Sequence, residues 1–205
     1  MRGNSTDNQP AGQKAGRKRS KLRFLIPLAL VLTVAAIACS SSTGSSSSSS
    51  GDGSSSSGDL APDFSITMYQ GQDVVGGQEV NFSGLVGQKP IVLNFWAGLC
   101  PPCRAEMPDL QEFNEKFQDR ALLLGIDIGQ FTGLGSQEDA QDLLQELGVT
   151  YPTGFTTEGG IIRDYEVLGM PTTIFIDAQG QIFKKWTGAL NREVLEEITL
   201  EMLNQ

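Results

Sequence analysis

Two of the chain's three cysteines, Cys100 and Cys103, are separated only by Pro101 and Pro102, and the chain has no histidine. A pair at this spacing can hold two of the four ligands of a zinc ion. It can close a structural disulfide, or it can open and close as a redox couple. Zinc would need two more ligands, usually Cys or His. No second pair exists, and Cys39 lies beyond a long low-complexity stretch, so no metal is expected. A disulfide across so short a loop removes little entropy from the unfolded chain, which makes it a poor staple. The redox reading fits the surroundings. Cys100 opens a stretch of helical periodicity, where unpaired backbone N–H groups and the helix dipole favour a thiolate. Cys100 is expected as the exposed nucleophile. Cys103, one turn further on, is expected as the buried resolving thiol.

The flanking pattern supplies the elements that would hold such a pair. "PIVLNFWA" (90–97) is a continuous apolar run, as in a strand buried on both faces. "PPCRAEMPDLQEFNEKF" places Met107, Leu110, Phe113 and Phe117 on one helical face. "ALLLGIDIG" (121–129) reads as a second buried strand. "SQEDAQDLLQELG" (136–148) reads as a helix with Ser136 as N-cap and Gly148 as stop. A short strand is expected over 150–155 and a helix over 159–169. Two strands joined by a turn at 178–180 are expected within 170–188. A closing amphipathic helix over 191–203 would bury Val194, Leu195, Ile198 and Met202. Upstream, Phe64, Ile66 and Met68 alternate with polar residues as in a strand, and 71–90 reads as a short hairpin and loop. The order predicts one α/β domain over 60–205, with a central mixed sheet, helices on both faces and an N-terminal β-hairpin extension.

The front of the chain reads differently. "RKRSKLR" (17–23) and the apolar run 24–38 form a secretory leader that ends at Cys39. That run is short for a spanning helix, which needs about 20 residues. "AAIAC" resembles the bacterial lipoprotein signal, with Ala36 where leucine is usual. The reading over 1–38 is a signal peptide followed by lipidation of Cys39, or an uncleaved anchor, or free secretion. All three put the domain outside the cytoplasm, where disulfides persist. Residues 39–59, rich in Ser and Gly, form a tether with a reach of roughly 25 Å. From residue 40 onward, eight Lys and Arg stand against 23 Asp and Glu, a balance of −15. Such a domain lacks the basic footprint of a nucleic-acid partner.

"VLNFWAGLCPPCRAEMP" (92–108), with "APDF" (61–64), "EVNFSGLVGQKP" (79–90) and "YEVLGMPTTIFIDAQGQI" (165–182), resembles the thioredoxin fold. More narrowly, it resembles the TlpA/ResA-like extracytoplasmic thiol–disulfide oxidoreductases. The resemblance covers nearly all of 60–205. It implies that Cys100 and Cys103 are the redox pair, that the Cys100–Cys103 disulfide is the only cofactor, and that Pro171 is a cis-proline beside it. The Met170 backbone would then pair with a partner peptide. Pro108 matches the proline that kinks the active-site helix. Thioredoxin's buried Asp is replaced by Asn94, which cannot titrate. Glu106 matches a carboxylate that takes part in the site in the ResA-like branch; its bland alternative is a complement to the helix dipole. Leu99 stands where a Trp is usual. Trp96 matches a neighbouring position of the site and is expected in the core more than against substrate.

The implied partners are protein thiols or disulfides and a membrane electron donor, with the chain acting as a monomeric, tethered reductant. Apocytochrome c is one implied substrate. A peroxiredoxin shares the fold and the "APDF" opening, but needs Thr or Ser three residues before its reactive Cys, where this chain has Ala97. A non-enzymatic binding lipoprotein with an inert disulfide is the remaining alternative.

Overall fold

The computed structural model describes residues 59–205. The expected leader, Cys39 and the tether up to residue 58 lie outside the described residues. Among the described residues no helix is long and apolar enough to cross a membrane.

The apolar runs became strands at the centre of the sheet. β1 (Ser65–Gln70), β2 (Glu79–Asn81), β3 (Ile91–Trp96), β4 (Leu122–Asp127), β5 (Thr153–Phe155), β6 (Thr172–Ile176) and β7 (Ile182–Thr187) form one seven-stranded sheet in the order β2-β1-β5-β4-β3-β6-β7. β3 runs parallel to β4 and antiparallel to β6. All six residues of β3 are buried, as a strand covered on both faces requires.

Alternation along β3 divides the core. Ile91, Leu93 and Phe95 join one apolar cluster, and Val92 and Trp96 join the other. The second cluster takes the inner faces of three long helices: α2 (Pro101–Phe117), α4 (Gln137–Leu147) and α6 (Arg192–Leu203). The first is closed by short pieces, among them the single turns α1 (Gln72–Val75) and α5 (Ile161–Asp164) and a 3-10 turn over Phe82–Gly84. Helices thus flank both faces, with the long ones on the side of the cysteines. Phe64 stacks on Phe82 at 5.3 Å, and Tyr165 meets Phe64 and Phe95 edge-on. The Tyr165 hydroxyl donates to the Pro62 carbonyl at 2.6 Å. These contacts join the start of the domain to the segment before Pro171.

The helix bounds follow local chemistry. α2 starts with Pro101 and Pro102, whose missing N–H groups cost nothing in the first turn. Ser136 and Asp139 form a reciprocal capping box on α4, and Gly148 closes it with φ +64°.

Two expectations need correction, while the N-terminal hairpin is present. The helix over 159–169 is only α5, because Glu166 turns to φ +51° and ends the helical path. The hairpin is joined to the main sheet. β1 pairs with β5 as well as β2, and the β1–β2 link contains the turn α1. A further turn, α3 (Gly129–Thr132), follows β4 where a strand end was expected.

α4 presses on the loop that carries Cys100. A Cβ built at Gly98 would lie 2.5 Å from both the Asp139 carbonyl carbon and the Ala140 nitrogen. Backbone cannot yield as a flexible side chain can. Gly98→Ala should therefore lower stability by about 1–3 kcal/mol or more, read as a lower urea midpoint at constant slope. An unchanged midpoint would show that α4 can move aside.

Candidate active site

β3 ends at Trp96, and four residues later Cys100 is the N-cap of α2. Cys100 N–H donates to the Ala97 carbonyl at 3.2 Å. The Cys103 N–H donates to Cys100 Sγ at 3.3 Å, so the sulfur occupies the place of a capping oxygen. Cys100 and Cys103 are joined in a disulfide with Cα atoms 5.3 Å apart. Cys103 is buried, as expected. Cys100 is 2% exposed, which corrects the expectation of an open nucleophile. The bonded sulfur turns back over the first turn of α2 towards Cys103. Its neighbours take the solvent instead: Leu99 is 58% exposed, and Pro101 and Pro102 are exposed.

Beneath the pair lies Glu106, one helical turn past Cys103 and 2% exposed. Its Oε1 accepts from Asn94 Nδ2 at 2.8 Å and its Oε2 from the Leu190 N–H at 2.9 Å. Burial pushes its pKa up from 4.5 to about 7, against the opposing pull of those two donors; the charge of Asp109 adds to the rise. A helix-dipole complement would sit at the surface, whereas this carboxyl points into the core. Asn94 Nδ2 also donates to Thr173 Oγ1 at 3.0 Å. The amide therefore ties Glu106 on α2 to β6, two residues beyond Pro171. Tyr151, wholly buried, is raised by burial and by the charge of Glu106.

The Met170–Pro171 bond is cis. Phe95 pairs with Thr172 across the β3–β6 ladder, so Pro171 falls opposite the end of β3 from which the cysteine loop departs. Pro171 is buried and Met170 half-buried. Leu168, two residues earlier, is 89% exposed. Trp96 is wholly buried, packs in the core, and has no partner for its Nε1. It is therefore absent from the surface that a substrate would meet. Pro108 lies inside α2, exposed on its outer side.

Thr173 and the Leu190 N–H were not anticipated, because nothing in their local sequence marks them. Asp127 was also missed. It closes the apolar run "LLLGID", 1% exposed, with Tyr69 OH donating to its Oδ2 at 3.0 Å. A charged residue ending a buried strand is the signal that was available. Among the described residues no three of His, Cys, Asp and Glu gather as a metal-ligand group. What the site can do is exchange a disulfide at a helix N-terminus above a carboxyl that can hold or release a proton near neutral pH.

Residues 57–185 match the model of the AhpC/TSA family. A protein named thiol-disulfide oxidoreductase ResA from Oceanobacillus iheyensis is 30% identical over 183 residues, covering 89% of this chain and 90% of that protein. Among solved structures, a thiol:disulfide interchange protein of the thioredoxin family from Chlorobium tepidum matches with a TM-score of 0.58 at 25% identity. It covers 71% of this chain and 97% of its own. The exposed lipoprotein thioredoxin of Streptococcus pneumoniae matches with a TM-score of 0.56 at 26% identity, covering 68% and 99%. These likenesses agree with the thioredoxin-like architecture of the sheet.

Proposed function

The chain belongs to the AhpC/TSA family, with a thioredoxin-like fold, and is a thiol–disulfide oxidoreductase; from that premise we propose that it reduces disulfides of protein substrates outside the cytoplasm through Cys100 and Cys103. The observation that carries this reading is the disulfide at the N-terminus of α2, above the buried Glu106 and beside the cis Met170–Pro171 bond.

In the dithiol form, the Cys100 thiolate attacks one sulfur of a substrate disulfide, and the other leaves as thiolate. Cys103 then gives its proton to ionised Glu106 and attacks Cys100 Sγ, forming the Cys100–Cys103 bond. The second substrate sulfur leaves, and two electrons have passed to the substrate. A membrane-side donor restores the dithiol. When Glu106 holds a proton, Asn94 Oδ1, which has no hydrogen-bond donor in this structure, is the acceptor that rotation of the amide would offer. The Met170 backbone and the exposed Leu99 line the approach to Cys100. Apocytochrome c cysteines are the specific substrate that the family resemblance implies.

Tethering through a lipidated Cys39 is supported by the leader pattern over 17–39 and by the likeness to an exposed lipoprotein. Peroxide reduction fits less well, since Ala97 stands where a hydroxyl residue would be needed. The test is Cys103→Ser, which removes the resolving thiol and should leave Cys100 joined to its substrates.

A further inference from the structure

We propose that Tyr69 and Asp127 form a latch that positions the nucleophilic cysteine, with Asp127 as a positioning residue acting through α3 and the loop before Cys100. This rests on the assignment of Cys100 as nucleophile. The latch is a continuous hydrogen-bonded path. Tyr69 OH donates to Asp127 Oδ2 at 3.0 Å, and the Gly129 N–H donates to Asp127 Oδ1 at 2.9 Å. The Gly129 carbonyl, at the start of α3, accepts from the Leu134 N–H at 3.2 Å. The Leu134 carbonyl accepts from the Leu99 N–H at 2.7 Å, and Leu99 precedes Cys100.

The packing around this path is tight. Asp127 pairs with Trp96 across β3 and β4. A Cβ at Gly129 would lie 3.1 Å from Asp127 Oδ1, 3.3 Å from Ala97 Cβ and 2.9 Å from the Gly135 carbonyl oxygen. The carboxyl and the cysteine loop thus meet around one backbone position that only glycine fits. Tyr69 is held in turn by stacking on Phe155 at 5.2 Å.

Asp127 also carries charge. Burial raises its pKa, while the Gly129 N–H and Tyr69 OH pull it down. The titratable groups acting on it are Tyr69 from β1 and Asp139 from α4, whose charge raises it further. β3 presents Trp96, the loop after it presents Ala97, and α3 presents Gly129, none of which titrates. Ionised Asp127 opposes a thiolate at Cys100, and protonated Asp127 does not. The latch therefore tunes the nucleophile as well as holding it.

The experiment is alkylation of the fully reduced, full-length protein with iodoacetamide across pH. Adducts at Cys39, Cys100 and Cys103 are resolved by peptide mass spectrometry. Asp127→Asn keeps an oxygen for Gly129 and removes the charge. It should make Cys100 alkylate about three- to tenfold faster at pH values below the thiol's own titration, from the loss of one unit charge within the site. It should also remove the break that Asp127 contributes to the pH profile and leave the one that belongs to Glu106. Tyr69→Phe removes the donor that favours ionised Asp127, and should move the break in the profile to higher pH. Profiles of both variants that overlay the parent's would overturn the latch, and Tyr69→Phe decides alone should Asp127→Asn fail to fold. Failure of Cys100 to alkylate faster than Cys103 in the parent would overturn the nucleophile assignment, and the latch with it.

Discussion

Expressed in its own cells, the Cys103→Ser protein is expected to accumulate as mixed-disulfide adducts at Cys100. The parent should show such adducts only in trace amounts. Resolution within one turn of α2 is an intramolecular attack, and groups held in place reach effective concentrations of about 10⁵ M or more. Release of the substrate by outside thiols has no such advantage. Removing Cys103 should thus lengthen the life of the adduct by several orders of magnitude. Non-reducing gels would show the ladder, and mass spectrometry would identify the partners. Cys100→Ser should abolish it, since the serine hydroxyl is not ionised near neutral pH. Adducts at Cys103 in the Cys100→Ser protein would reverse the assigned roles. No adducts in either variant would remove the oxidoreductase cycle on protein substrates.

Glu106→Gln is expected to slow disulfide exchange by about 10²-fold or more, the usual range for losing a positioned proton acceptor. It should also flatten the dependence of stability on pH. The sign follows from the raised pKa. Unfolded, the carboxyl loses its proton near 4.5; folded, it keeps it to about 7. Between those values the native state binds more protons than the unfolded chain, so stability falls as pH rises through that window. The loss is on the order of 3 kcal/mol, complete above pH 7. Gln cannot titrate, so urea unfolding from pH 4 to 8 should lose this slope in the variant. The exchange rate should lose its inflection near pH 7 in the same variant. A parent and variant with parallel stability and rate profiles would reduce Glu106 to a structural residue.

The chemistry was written in the chain more plainly than its surroundings. Cys100 and Cys103, the apolar run before them and the spacing of Met107, Leu110, Phe113 and Phe117 after them are local signals, and β3 and α2 follow from them. Ser136 and Gly148 marked both ends of α4 for the same reason, since caps are read from a few neighbouring residues. The rest depends on contacts between distant segments. The N–H of Leu190 reaches Glu106 across 84 positions, and Asn94 reaches Thr173 across 79. No periodicity reports such meetings. The overlong reading of α5 has a different cause. Ile161, Ile162 and Val167 look helical together, yet the chain turns at Glu166 to bring Tyr165 into the aromatic cluster around Phe64. The burial of Cys100 was illegible because it depends on the distant segments whose side chains pack around it in the core, which spacing alone does not specify.

The most direct test of the account is the midpoint potential of the Cys100–Cys103 couple, from equilibration with graded thiol–disulfide buffers at pH 7 and quantification of the two cysteines by mass spectrometry. A redox pair that cycles with protein substrates should lie above about −300 mV, because structural disulfides fall below that value. A potential well below it, with no exchange during the equilibration, would show the Cys100–Cys103 bond to be a fixed part of the fold and would contradict the central claim.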